Sequence, residues 1–360
     1  MLYYLSQFSD GGDLFNLFRY ITFRAGGAFF TALLVGLLFG RPLIDMLRRR
    51  QKNGQPIRED GPEGHFEKAG TPTMGGLLIL AALTTATVLW ARWDIPHVWL
   101  VMFVTVSYGL IGLADDYAKV SANSHRGVPG RVRFAIELLL AGIAGWWAAA
   151  IHPDPLAWRL ALPLLKEVYI NLGWFFIPFS MLVIAGAANA VNLTDGLDGL
   201  AIMPVMIAAA ALGIIAYAVG RVDFSTYLEV PYVPGAGELL IFVAALIGGG
   251  LGFLWYNAPP AAVFMGDTGS LAIGGALGAI AVAIKHEIVL AIVGGLFVIE
   301  ALSVMIQVAH FKLTGRRVFL MAPIHHHFEK KGWKESQIVI RFWIIALVLA
   351  LIGLATLKVR

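Results

Sequence analysis

The feature that most constrains this 360-residue chain is a series of long apolar segments recurring from one end to the other. A helix needs about 20 predominantly apolar residues to cross the hydrocarbon core of a bilayer. Ten stretches approach that requirement: 22–43, 74–91, 97–114, 132–151, 172–190, 199–219, 237–256, 269–284, 288–308 and 338–357. Only Lys285, His286 and Glu287 divide the eighth from the ninth. The composition is 58% hydrophobic and 14% charged, with mean hydropathy +0.75, whereas globular chains carry roughly 25% charged residues. A disordered chain and an ordinary soluble domain are excluded. An outer-membrane-type barrel is excluded too, because its alternating strands give a far weaker hydropathy signal. The expected fold is all-α and polytopic, with ten transmembrane helices, no internal repeat and a single domain over residues 1–360. The chain has no Cys, so disulfides, thiolate zinc sites and cysteine nucleophiles are ruled out.

Residues 1–18 contain no Lys or Arg, and Asp10 and Asp13 interrupt their apolar run. A signal peptide needs a basic leading region, so this stretch is expected to lie amphipathically at the interface. Net charge is +4, and its distribution orients the chain. With Arg133 counted with its adjoining loop, Arg24 with the N-terminal tail, and Arg41 and Arg341 left within spans, the loops after odd-numbered spans hold 16 of the 27 Lys and Arg residues, and the even loops with both tails hold nine. Positive loops face the cytoplasm, which places both termini outside. The external 220–236 stretch, with β-branched and aromatic residues around Pro231 and Pro234, is expected to form a small hairpin.

The same parity gathers the polar clusters. Lys68 with 71–76, Asp115–Asp116, 192–199, 257–270 and 323–329 all fall on the odd, cytoplasmic side. Five loops distant in sequence thus share one face, which points to a composite site in a cytoplasmic cleft. Asp115 and Asp116 end the third expected span. Carboxylates are disfavoured at a helix C-terminus, so a cation or proton is expected there. Mg²⁺ takes such oxygen ligands and bridges to phosphates. The plainer alternative is an interfacial stop with Lys119 as ion-pair partner. Asn192, Asp195, Gly196, Asp198 and Gly199 are read as opening the sixth span. Helix capping explains one Asp there, but not two with an Asn and two Gly.

In 264–270, a Gly-rich turn runs into the eighth span and presents backbone N–H groups suited to phosphate. Asp267 there could hold a metal and Phe264 could stack on a base. A capped tight turn is the alternative. His325, His326 and His327 are adjacent, so convergence of all three on one zinc is disfavoured, and contacts to phosphate or sugar oxygens are expected instead. By spacing alone Lys68 is a positive-inside anchor.

The motifs Gly70-Thr-Pro-Thr-Met-Gly-Gly76, Asp115-Asp116-Tyr117, Asn189-Ala-Val-Asn-Leu-Thr-Asp-Gly-Leu-Asp-Gly199, Phe264-Met-Gly-Asp-Thr-Gly-Ser270 and Met321-Ala-Pro-Ile-His-His-His327 together resemble the polyprenyl-phosphate N-acetylhexosamine-1-phosphate transferase superfamily. The resemblance runs from about residue 20 to the C-terminus. The triple His resembles its muramoyl-pentapeptide branch rather than the branch that uses UDP-N-acetylglucosamine. The resemblance implies transfer of phospho-MurNAc-pentapeptide from UDP-MurNAc-pentapeptide to undecaprenyl phosphate, giving lipid I and UMP, the first membrane step of peptidoglycan synthesis. It implies Mg²⁺, a homodimer in the bacterial inner membrane, periplasmic termini and no nucleic-acid partner.

It also implies roles for residues. Asp115, Asp116 and Asp267 are catalytic carboxylates, with Asp267 the Mg²⁺ ligand. Direct attack by the lipid phosphate and a phospho-enzyme route both stay open. Asn192, Asp195, Gly196 and Asp198 lie near the nucleotide, Asn257 and Phe264 flank the uridine, and Lys68 neutralises phosphate. His325, foremost, with His326 and His327, contacts substrate. Arg133 stands where the family usually has Lys, and it keeps the charge on a planar fork. A transporter is the rival from another class, since ionisable residues inside spans mark transport paths. Against it, the acidic residues gather at one face with none obvious at the midplane, and the internal symmetry of repeat transporters is missing.

Overall fold

Gly266–Ala283 is the most deeply buried of the long helices described, and all of its residues from Thr268 onward are buried. The computed structural model describes residues 1–51, 54, 70–122, 124, 127–163, 165 and 168–358. Lys68 lies outside the described residues. In chain order the helices are α1 (Ile21–Arg50), α2 (Gly76–Trp90), α3 (Pro96–Ser121), α4 (Gly130–Ile151), α5 (Phe176–Thr194), α6 (Ile202–Val219), α7 (Val222–Leu228), α8 (Leu239–Asn257), α9 (Gly266–Ala283), α10 (Glu287–Val293), α11 (Gly295–Thr314), α12 (Ile324–Lys330) and α13 (Glu335–Ala355). Two short strands, β1 (Arg159–Ala161) and β2 (Tyr169–Asn171), pair antiparallel between α4 and α5, with Leu160 opposite Ile170.

Among the described residues nine helices are long and apolar enough to cross a membrane. The second expected span is the shorter α2. Its 15 residues reach about 22 Å at 1.5 Å per residue. The ninth expected span is interrupted, because α10 stops at Val293 and α11 starts at Gly295, leaving Gly294 between them.

Small residues bring the helices around α9 close. A side-chain carbon at Gly112 of α3 would lie 2.1 Å from the Asp267 carbonyl oxygen, and one at Gly274 would meet the Ala188 backbone of α5 at 2.7 Å. These approaches pack α3 and α5 closely against α9. Gly248 does the same between α8 and α1, where a side-chain carbon would be 2.2 Å from the Phe29 carbonyl oxygen. N-terminal to α1, two 3-10 turns, Leu2–Phe8 and Leu14–Arg19, leave Phe8 and Leu14 exposed.

Three expectations are corrected. The 220–236 stretch carries α7 rather than a hairpin. Pro231 and Pro234 lack the N–H a ladder needs, while Asp223 sits in the helix's first turn, where the dipole favours it. The paired strands described are β1 and β2 instead, at Arg159–Ala161 and Tyr169–Asn171. Asp115 and Asp116 do not end α3, which runs on to Ser121. Asn192 and Thr194 close α5 rather than opening α6. The Thr194 hydroxyl donates to the Ala190 carbonyl at 2.8 Å within that last turn, and the chain then turns through Gly199, at φ +73°, before α6 starts at Ile202.

Candidate active site

The site begins with how α9 is started. Gly266 has φ +73°, a conformation open to Gly, and a side-chain carbon there would lie 2.5 Å from an Asp116 oxygen. The Asp116 carboxylate accepts the Asp267 N–H at 3.1 Å, the Thr268 N–H at 2.9 Å and the Thr268 hydroxyl at 2.7 Å. It therefore caps α9 from a neighbouring helix, satisfying N–H groups that have no partner within α9. The loop from Gly70 docks on the same end. The Gly75 and Gly76 N–H groups donate to the Phe264 and Met265 carbonyls, and the Phe264 N–H donates to Pro72.

Asp267 projects from this capped turn into a cluster drawn from three other helices. Lys119 Nζ lies 2.8 Å from Asp267 Oδ2 and 2.6 Å from Asp115 Oδ2. Arg133 Nη1 lies 2.9 Å from Asp267 Oδ2 and 3.7 Å from Asp115 Oδ2. The Asn192 amide donates to Asp267 Oδ1 at 2.7 Å and to the Ser270 hydroxyl at 2.9 Å. Asp115 Oδ1 accepts the Val128 N–H at 2.8 Å. The ion pair with Lys119 that spacing suggested is thus present, and the same ammonium also joins Asp115 to Asp267. The two bridged oxygens are at most about 5.4 Å apart, the two contacts laid end to end. Two such charges repel by about 3 kcal/mol at an effective dielectric of about 20, a cost that the Lys119 ammonium between them offsets.

The turn after α5 links this cluster to a second group. Burial first, and then the charges of Asp267, Asp116 and Asp198, raise the Asp195 carboxyl well above its ordinary range. Buried Asp198 accepts the Ala261 N–H at 3.0 Å, and its own N–H donates to Glu335 Oε1 at 3.0 Å. Asn257 is buried, with its carbonyl oxygen taking the Gly199 N–H and its amide donating to the Val263 carbonyl, both at 2.9 Å.

The three histidines separate. His325 is fully buried, with Nδ1 3.1 Å from both Glu300 oxygens. His326 pairs with Glu329 one turn along α12. His327 Nδ1 accepts the Leu320 N–H at 3.1 Å, and desolvation, then nearby Lys331, lowers its pKa. A side-chain carbon on Gly196 would lie 2.3 Å from His325 Nε2, so this ring abuts the turn after α5.

The structure therefore brings Asp115, Asp116, Arg133, Asn192 and Asp267 together, and links Asp195, Gly196 and His325 to them through one turn. The reading that acidic residues keep to the loop ends is incomplete. Glu137 of α4 and Glu300 of α11 both show 0% exposure inside apolar helices. Glu137 Oε1 forms an ion pair with Arg133 Nε at 3.4 Å and its Oε2 accepts the Asn189 amide, so it faces the fork that reaches Asp267. An ionisable residue inside an apolar span is itself a functional flag, and both glutamates carried it. Among the described residues no group of three or more His, Cys, Asp or Glu is arranged to hold a metal ion. The oxygen chemistry nevertheless suits one, because carboxylates of Asp115 and Asp267 already converge on the Lys119 ammonium.

Residues 98–285 match the family described as glycosyl transferase family 4, and the buried carboxylate and cation cluster lies almost wholly within them. Fold and site together define an integral-membrane transferase of that family. Residues 68–80, beginning at Lys68, match signature 1 of phospho-N-acetylmuramoyl-pentapeptide-transferase. The chain is 76% identical to the phospho-N-acetylmuramoyl-pentapeptide-transferase of Dinoroseobacter shibae, 73% identical to that of Ruegeria pomeroyi and 72% identical to that of a second Ruegeria, each over 100% of both chains. The chain belongs to the phospho-N-acetylmuramoyl-pentapeptide-transferase family.

Proposed function

We propose that the chain transfers phospho-MurNAc-pentapeptide from UDP-MurNAc-pentapeptide to undecaprenyl phosphate, releasing UMP and forming lipid I. The observation that carries this reading is the bridge by which Lys119 and Arg133 hold Asp115 and Asp267 at the start of α9. Two phosphorylated anions must meet in this reaction. Phosphoryl transfer depends on positioning and on neutralising charge. Lys119 and Arg133 supply fixed positive charge, and the family resemblance assigns Lys68, upstream of α2 in the sequence, to neutralise phosphate. Asp115 is placed to orient or deprotonate the attacking lipid phosphate, or to attack itself. Asp116 holds the first turn of α9 and so fixes Asp267. The turn 195–199 and His325 take the nucleotide-sugar, with Asn257 fixing that turn and Phe264 beside the uridine. Mg²⁺ would be held by Asp267 with Asp115 and would add positive charge toward the diphosphate.

The same reading makes α2 a tenth, short span. Both termini then face the periplasm, and the site opens on the cytoplasmic side of a bacterial inner membrane. The chain works as one domain and as a homodimer. Purified protein in detergent tests the proposal. UMP release should require UDP-MurNAc-pentapeptide, undecaprenyl phosphate and Mg²⁺ together. Folded protein that releases none overturns it, and release from UDP-N-acetylglucosamine instead moves the chain to the sibling branch.

A further inference from the structure

Glu300 belongs to none of the motifs that carry the function, yet its environment is among the most specific in the molecule. It lies in α11, in the apolar run Leu296-Phe-Val-Ile-Glu300-Ala-Leu-Ser303, with 0% exposure. Its only charged contact described is His325, also at 0% exposure, whose Nδ1 is 3.1 Å from both carboxylate oxygens. An ionised carboxylate only accepts hydrogen bonds. With Glu300 ionised, Nδ1 carries a proton, and in the neutral ring Nε2 is then the acceptor. His326 packs its ring on His325 with centroids 4.1 Å apart and restricts rotation of the imidazole.

The other end of the ring carries the second observation. His325 Nε2 is buried and has no hydrogen-bond partner among the described residues. It faces Gly196, where a side-chain carbon would come within 2.3 Å. Gly196 follows Asp195 in the turn that joins α5 to α6. A buried polar atom is ordinarily paired, and here the absence of a side chain at Gly196 lets the unpaired nitrogen lie against that turn.

We propose that Glu300 is a positioning residue: it fixes His325 in the Nδ1–H tautomer, so that Nε2 is presented beside Gly196 to accept a hydrogen bond from a hydroxyl of the nucleotide-sugar substrate. This rests on the proposed function for the identity of the substrate, but not for the tautomer. A carboxylate behind an imidazole sets the tautomer and aims the free nitrogen, as in other sites built on such pairs. A merely structural pair would pin α12 to α11 through the same Nδ1–H but would give Nε2 no part in substrate binding, so turnover separates the two.

The test combines two readouts. In the first, UMP release is measured for Glu300→Gln, Glu300→Leu, His325→Ala and the double variant Glu300→Leu/His325→Ala. Thermal unfolding confirms that each is folded. Glu300→Gln keeps a neutral acceptor and should lower kcat/KM by about 10-fold, and Glu300→Leu by about 100-fold. The double variant should be no slower than His325→Ala alone, because residues acting as one unit are non-additive. Losses that multiply, or normal turnover in Glu300→Leu, overturn the proposal.

The second readout is the ¹⁵N imidazole spectrum of His-labelled protein. The intact chain should show His325 as the Nδ1–H tautomer, assigned by its disappearance in His325→Ala, and Glu300→Gln should release it to a mixture. An Nε2–H ring in the intact chain overturns the proposal. This measurement needs no turnover, so it still decides the matter if Glu300→Leu fails to fold. It also separates the two claims: intact protein that releases no UMP but shows the Nδ1–H tautomer defeats the substrate assignment, not the dyad.

Discussion

Asp116 on α3 caps α9 through Thr268, whose N–H and hydroxyl both donate to the same carboxylate oxygen, at 2.9 and 2.7 Å. Adjacent Asp115 instead faces Lys119 and Arg133. Two neighbouring carboxylates therefore have different work, one holding the helix that carries Asp267 and the other standing in the charged cluster. Hydrogen bonds to a charged group contribute about 1.5–3 kcal/mol. Thr268→Val should cost about 1–3 kcal/mol of stability and lower turnover by less than about 10-fold. Asp116→Asn should destabilise more than Asp115→Asn, while Asp115→Asn removes turnover from a folded protein. Thermal unfolding in detergent beside UMP release checks the pattern, and equal destabilisation by the two Asn variants would contradict it.

Lys119 carries the second prediction. It sits between Asp115 and Asp267 at 2.6 and 2.8 Å, where it competes with any added cation for the same oxygens. Lys119→Gln should lower turnover by about 100-fold, the loss of one charge aimed at the reacting phosphate. It should also tighten binding of a divalent ion, since two uncompensated carboxylates attract one more strongly. Calorimetric titration with Mn²⁺ reads the second effect. Weaker Mn²⁺ binding in the variant would mean that the ammonium supports the ion instead of standing in its place.

Most of the bilayer-crossing helices could be read in the sequence because hydropathy over about 20 residues is insensitive to neighbours. The polar loops were equally readable, since Asp115, Asp195 and Asp267 stand out against apolar flanks. What failed depended on contacts between distant residues. α5 runs on to Thr194 because the Asn192 side chain reaches Asp267 and Ser270 on α9, and no local pattern announces that. α3 carries Asp115 and Asp116 inside its last turns because partners 4 and 13 residues on receive Asp115. The hairpin was misplaced because three-residue strands such as Tyr169–Asn171 offer too short an alternation to outweigh the aromatic and β-branched residues around Pro231. Glu300 and His325 are 25 positions apart, a separation that corresponds to no motif.

Asp195 gives a pH prediction with a definite sign. Its carboxyl is raised by burial and by the charges of Asp267, Asp116 and Asp198. Above the ordinary value of 3.8 an unfolded chain has released this proton while the folded chain still holds it. Stability therefore falls as pH rises through the window from that value up to the raised folded one. Asp195→Asn carries no such proton. The variant's Tm minus that of the unaltered chain should grow as pH rises above about 4 and then level off. A difference that stays flat with pH would show that Asp195 titrates normally.

Arg133 supplies the last prediction, since the structure shows what its fork does that a Lys cannot. Nη1 reaches Asp267 at 2.9 Å while Nε reaches Glu137 at 3.4 Å. Glu137, at 0% exposure, is otherwise held by the Asn189 amide, and its backbone carbonyl takes the Tyr108 hydroxyl at 2.7 Å. A Lys is a single point donor on a flexible stem. It can place its charge on Asp267 or near Glu137, but not on both. Arg133→Lys should therefore keep turnover within about 10-fold while losing about 1–3 kcal/mol of stability, because a buried carboxylate is left short of a partner. Arg133→Ala removes the charge at Asp267 as well and should lower turnover by about 100-fold. Adding Glu137→Gln to Arg133→Lys should recover most of the lost stability, since a neutral amide no longer needs the guanidinium. UMP release and thermal unfolding across these variants decide it. If Arg133→Lys loses as much turnover as Arg133→Ala, the fork itself, and not its charge, serves the reaction.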